Sequence, residues 1–268
     1  MKTNSIPMLL ILNMAAVFAL AFGLSAFLHE AAHALMAKSV GVNSILFHSY
    51  VSYDSVGVPE KSQLLISAAG PVFSFIQAML FLFILRSYKK KNMTALLFLW
   101  MCIIGMVVFL GYIMMAPFVA YGDTGKILAL LSIPPLLSFS LAAFGLISII
   151  IFFRKINPLI IGLLSQLKEE TDYTNQKAIT LFFVWPVLIG TLFNIILSLP
   201  APTLMSLAFP VVIPLAMMPT MIRLYKSGLT PNTNKSGEVI FTHKIYWPII
   251  LLVVILILSR ILAAGIVI

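Results

Sequence analysis

Residues 6–37 read IPMLLILNMAAVFALAFGLSAFLHEAAHALMA, and this stretch decides the fold. From Ile6 to Leu28 it carries no charged side chain. Roughly 20 such residues span the hydrocarbon core of a bilayer as a helix. The apolar run exceeds the 7–15 residues or so of a secretory h-region. It also continues without a break into His29, Glu30 and His33, so it reads as a retained membrane helix, about Ile6–Ala37, rather than a cleaved leader.

The rest of the chain agrees. Of its 268 residues 61% are hydrophobic and 9% charged, and the mean hydropathy is +1.09. Soluble domains carry roughly 25% charged residues. A water-soluble fold could not hide this much apolar surface, so the expected solvent is lipid. The net charge of +9 sits largely at the ends of apolar stretches, where lysine and arginine meet headgroups and set orientation. Nucleic acid is excluded as a partner on that ground. The lone Cys102 excludes an intrachain disulfide and a cysteine-based zinc cluster.

Apolar periods and breakers predict an all-α polytopic membrane protein of about seven transmembrane helices. These run about Ile6–Ala37, Leu64–Leu85, from Met93 to a break near Pro117, Leu136–Phe153, Ala178–Leu199, Thr203–Ile222 and Tyr246–Ile268. Asn157–Asp172 reads as a separate interfacial amphipathic segment. Ile45–Tyr53, rich in β-branched and aromatic residues, predicts a short membrane-associated hairpin or sheet after helix one. A single transmembrane domain, 1–268, is expected, with chemistry in 1–133 and additional helices in 134–268.

His29-Glu30-Ala31-Ala32-His33 is an H-E-x-x-H motif. On a helix, positions i and i+4 share a face, so both imidazoles can reach one metal ion, while Glu30 can reach a metal-bound water without ligating. Ionisable groups at mid-membrane cost roughly 2.5–3.5 kcal/mol each when charged. One structural histidine would explain one such group, but not three on one helix. A catalytic zinc needs a third protein ligand and an open position. Asp123, in Tyr121-Gly122-Asp123-Thr124-Gly125, is the other acid embedded in a long apolar region. Its competing reading is a helix N-cap.

Three elements in order carry a resemblance: His29–His33, Ala68-Ala69-Gly70-Pro71 opening the next helix, and Asp123. With these the chain resembles the site-2 protease family of intramembrane zinc metalloproteases, over about Leu10–Leu130. The corresponding family features are H-E-x-x-H, a small-Gly-Pro motif and Leu-Asp-Gly. Here the last is Gly122-Asp123-Thr124, with the glycine displaced to Gly125, and Ser74 stands where the family usually has asparagine. The resemblance implies one Zn2+ per chain held by His29, His33 and Asp123, with Glu30 as catalytic base. Its membrane-associated sheet falls at Ile45–Tyr53. Gly70, Pro71, Ser74 and His48 are the candidate substrate-binding residues. For His48, gating, binding a transition-state oxygen and a plain interfacial position all remain open.

The implied activity is hydrolysis of peptide bonds in membrane-spanning or membrane-associated substrates: single-span proteins, signal-peptide remnants or peptide precursors. A membrane transporter or a non-proteolytic scaffold with a metal site is the alternative. The partners are substrate and the lipid bilayer, and the expected location is a bacterial plasma membrane. Lysine and arginine asymmetry puts the N-terminus in the cytoplasm and the metal toward the far face; the family resemblance implies the reverse.

Overall fold

The computed structural model describes residues 8–171, 173–200, 204–229, 239–240 and 246–268. Lys2, Lys235 and Lys244, part of the lysine and arginine asymmetry on the N-terminal side, lie outside these, as do Asp172 and Thr203. In order the chain forms α1 (Met8–Ser39), β1 (Ile45–Leu46), β2 (Val51–Ser52), α2 (Glu60–Ser87), β3 (Lys91–Asn92), α3 (Met93–Met115), α4 (Asp123–Leu130) and α5 (Pro135–Thr171). There follow α6 (Asn175–Ile179), a π turn (Thr180–Val184), α7 (Trp185–Leu197), α8 (Leu204–Ser227), β4 (Val239–Ile240), α9 (Trp247–Leu262) and β5 (Ile266–Val267).

Five helical stretches are long and apolar enough to cross a membrane: α1, α2, α3, the Pro135–Ser165 part of α5, and Asn175–Leu197. Their outward faces are apolar too. On α2 the exposed large residues include Val72, Phe75, Ile76, Met79, Leu80 and Phe83, a stripe at helical spacing. In water that stripe would have to be polar. Facing lipid it needs no cover, and these features are those of a multi-pass membrane protein.

The central helix is α1, packed by α2, α3, α7 and α9 and buried at every position from Leu10 to Phe22 except Leu12. Gln77 on α2 ties three helices together. Its Nε2 donates to Ser25 Oγ on α1 at 2.7 Å and to the Met101 carbonyl on α3 at 2.9 Å. Such bonds average only about 0.6 kcal/mol in membrane bundles, so they contribute more to register than to stability. Ser25 lies one turn before His29, and the register they fix is that of the helix carrying His29 and His33.

The hairpin forms, but with a third strand. β1 pairs antiparallel with β2 (Ile45 opposite Ser52) and with β5 (Ile45 opposite Val267), giving the order β2-β1-β5. The last helix therefore does not reach Ile268. It ends at Leu262, and Gly265 at φ +82° turns the chain into the strand. The stretch expected to lie separately in the interface is helical as far as Thr171 and continuous with α5. Pro158 does not end the helix, because Ile156, Ile160, Leu163 and Leu164 are buried and hold the same face in the core. The π turn before α7 has a local cause: Pro186 has no N–H to donate back to Phe182.

Candidate metal centre

Helix geometry puts His29 and His33 one turn apart, both buried, on the face of α1 toward α2 and α4. Asp123 arrives from the first turn of α4. Its Oδ2 lies 3.0 Å from His29 Nε2 and 3.1 Å from His33 Nε2, and the two Nε2 atoms are 3.2 Å apart. The N-cap of α4 is Gly122, with no side-chain cap bond. Asp123 thus directs its carboxylate to the imidazoles rather than to the helix end.

The other ring nitrogens are held from behind by α2. His33 Nδ1 donates to the Ile66 carbonyl at 2.6 Å, and His29 Nδ1 lies 2.9 Å from Ser74 Oγ. Such bonds fix the ring plane and leave Nε2 of each ring facing the cluster. Ser74, a candidate substrate-binding residue, is buried against His29. Gly70 packs directly against the two rings: a Cβ there would stand 2.6 Å from His29 Nε2 and closer still to His33 Nε2. Pro71 follows inside the helix, leaving the Ser67 carbonyl without its usual N–H donor. The displaced glycine also has a reason. A Cβ at Gly125 would run into the main chain of Val119 in the turn before α4.

Whether these residues suit zinc can be tested on the triangle they form. Zinc–nitrogen bonds of roughly 2.0–2.1 Å at tetrahedral angles set neighbouring ligand atoms about 3.3 Å apart. The three observed edges, 3.0–3.2 Å, match this within small adjustments. Two neutral imidazole nitrogens and one carboxylate oxygen are also a donor set zinc uses at catalytic sites. The residues fit the ion.

The three comparisons with known proteins gave no match: no family model, no curated protein and no solved structure resembles this chain at significance.

In front of the cluster lies a cavity of about 950 Å³, within the size range of small-molecule and peptide sites. Its walls are mostly apolar, including Phe22, Val107, Ile213 and Ile255. Glu30, His48, Tyr112 and Lys126 supply polar groups. Lys126 Nζ donates to Tyr53 Oη at 2.7 Å and so ties α4 to the segment after β2. His48, in the hairpin turn, is buried. Its Nε2 lies 3.3 Å from the Ser198 carbonyl at the end of α7 and 3.4 Å from Ser49 Oγ, while Nδ1 has no hydrogen-bond partner. Arg260 of α9 donates to the Ile196 carbonyl at the same helix end.

Sequence reasoning missed Tyr112. It stacks on His29 with ring centroids 5.2 Å apart and planes 11° apart. The available signal was a tyrosine near the end of an otherwise apolar helix, just ahead of the Pro117 break.

Proposed function

We propose that this chain is an intramembrane zinc metalloprotease of the site-2 protease type. In this reading it crosses a bacterial plasma membrane about seven times, α8 and α9 adding to the five long apolar stretches, and carries one Zn2+ per chain. The observation that carries the reading is the convergence of two imidazole nitrogens and one carboxylate oxygen beside Glu30, on a helix buried in an apolar bundle.

His29, His33 and Asp123 hold the ion. When bound, zinc supplies Lewis-acid chemistry, polarising a carbonyl and bringing the pKa of water to about 7. Glu30 would act as the base, taking a proton from the attacking water and passing it to the departing amine. Water adds across the peptide bond, oxygen to the carbonyl carbon and hydrogen to nitrogen, as the C–N bond breaks. The substrate must be unwound, since a helix keeps its carbonyls in internal hydrogen bonds. β2 is an edge strand and reaches the cavity through Val51, so it offers a place for an extended segment to pair. Membrane-spanning proteins, signal-peptide remnants and peptide precursors all suit an apolar cavity of this kind.

Metal analysis and proteolysis on the detergent-purified protein test the proposal together. The expected result is one zinc per chain, none in the His29→Ala/His33→Ala variant, and a Glu30→Gln variant that keeps zinc but no longer cleaves an unfolded substrate. Full zinc in the double alanine variant, or wild-type cleavage by Glu30→Gln, would refute it.

A further inference from the structure

Lys126 is the one lysine or arginine among the described residues that line the cavity. It stands one turn beyond Asp123 on α4 and is half-buried. Its Nζ donates to Tyr53 Oη at 2.7 Å, and Tyr53 directly follows the edge strand β2. One ammonium thus joins the helix that brings a carboxylate to the cluster and the strand that leaves an edge free.

Among the described residues this ammonium has no counter-ion. Asp123 turns to the two imidazoles, and Asp54 accepts the Val56 N–H. Tyr53 offers only a neutral oxygen. An ammonium has three N–H donors, so two remain. A cation on the wall of a mostly apolar cavity attracts an anion more strongly than one in bulk water. Zinc would not change the sign, since its two charges are balanced by those of Asp123 and Glu30, leaving Lys126 uncompensated. A lysine serving lipid headgroups would extend along the bundle surface; this one is held at the cavity wall by Tyr53.

We propose that Lys126 is a specificity-determining residue that binds a carboxylate of the substrate, either an acidic side chain or the free carboxyl end of a peptide. The proposal rests on the protease reading above and adds a substrate class to it: segments that are apolar over most of the cavity and carry one anionic group at the Lys126 end. A segment paired on β2 runs toward Tyr53, and so toward the ammonium that Tyr53 holds.

The test uses the full-length protein in detergent and matched fluorescent peptides. One series carries Glu or Gln at each position in turn on either side of the scissile bond; a second ends in a carboxylate or an amide. Cleavage is read as kcat and KM, and binding as fluorescence anisotropy in the Glu30→Gln variant. A charge-assisted bond should favour the acidic member by roughly 10-fold or more, in KM and in binding. A preference in the first series assigns the group to a side chain, and one in the second to a chain end. Lys126→Gln keeps a donor for Tyr53 without the charge and should level the two members. Lys126→Arg keeps the charge and should keep the preference. Equal KM and equal binding across both series overturn the proposal, a comparison that needs no substitution at Lys126. So does an acidic preference that survives in Lys126→Gln or, if that variant does not fold, in Lys126→Met. A wild-type protein that cleaves no peptide of either series overturns the protease reading instead, and this proposal with it.

Discussion

His33 and Ile66 meet across 2.6 Å, imidazole Nδ1 to main-chain carbonyl, and this bond selects the nitrogen that faces the cluster. A carbonyl only accepts, so Nδ1 carries a proton, and Nε2 is the nitrogen turned toward His29 and Asp123. Ser74 holds His29 in the same way from the next turns of α2. α2 therefore acts as a backing for α1, and the two rings cannot swing away without giving up these bonds.

Gly70 stands between those two anchoring points, which makes Gly70→Ala a sharp test. Alanine favours a helix interior by roughly 0.5–1 kcal/mol over glycine, so the fold should tolerate it. The new Cβ would lie 2.6 Å from His29 Nε2. A ring displaced by that contact is a ring lost to the metal. The expected outcome is a metal-free protein that still folds, with a melting temperature unchanged or lowered as the displaced ring gives up its bond to α2, and with zinc affinity lowered by at least the roughly 10-fold that loss of a supporting hydrogen bond costs. Wild-type affinity in Gly70→Ala would mean that the metal-bound rings lie elsewhere.

Some of this architecture was legible in the sequence because lipid makes simple demands. A bilayer requires long apolar helices, and Met8–Ser39 and Met93–Met115 follow the expected bounds within a few residues. The H-E-x-x-H spacing placed two imidazoles on one face by helix geometry alone. Asp123 stood out because acids are rare in apolar segments. What stayed hidden depends on tertiary contact. Nothing local in Ile266-Val267 reveals that it pairs with Ile45-Leu46, since two-residue strands have no period to read. Asn157–Asp172 read as a separate interfacial segment because the buried face that carries α5 past Pro158 cannot be seen in a linear string. The role of Ser74 depends on where α2 packs on α1.

His48 has a specific expectation. Its Nε2–H is the donor that suits the Ser198 carbonyl at 3.3 Å, leaving Nδ1 as a buried acceptor without a partner. Burial lowers its pKa, which the Ser198 bond partly offsets, so the ring is neutral at pH 7. It therefore suits a substrate N–H better than a transition-state oxygen. His48→Phe should raise KM and leave kcat nearly unchanged. A hydrogen bond worth about 0.5–1.5 kcal/mol corresponds to roughly a 2- to 12-fold effect. A fall in kcat of about 100-fold would assign it to the transition state instead. The sign of the pH effect also follows. A lowered folded-state value means that stability falls as pH drops through the unfolded histidine value of about 6.5. His48→Phe should soften that slope in melting temperature measured from pH 7 to pH 5.

The orientation can be read with thiol chemistry. Cys102 is buried, so the native chain gives a low background. Lys90, between α2 and α3, and Val56, after the hairpin, are both exposed. If the basic residues mark the cytoplasmic face, Lys90→Cys should resist a membrane-impermeant maleimide in intact cells and react after permeabilisation. Val56→Cys should react in both. The opposite pattern would place the metal centre toward the cytoplasm.

Asp123→Asn separates ligand from helix-end chemistry. At the first turn of α4 a negative charge favours the helix by roughly 0.3–1 kcal/mol, so its loss should cost the fold little. The helix is capped by Gly122, not by the Asp123 side chain, which removes capping as the main reason for an acid here. What remains is the short contact of Oδ2 with both Nε2 atoms, 3.0 and 3.1 Å. A neutral amide can copy the shape of that contact but not its charge, and it is a far poorer zinc ligand. The variant should fold in detergent, bind zinc more weakly than any variant that loses only a supporting hydrogen bond, beyond the roughly 10–100-fold range, and fail to cleave. Zinc content and cleavage at wild-type levels in Asp123→Asn would remove Asp123 from the ligand set, leaving two histidines with no other His, Cys, Asp or Glu grouped with them among the described residues.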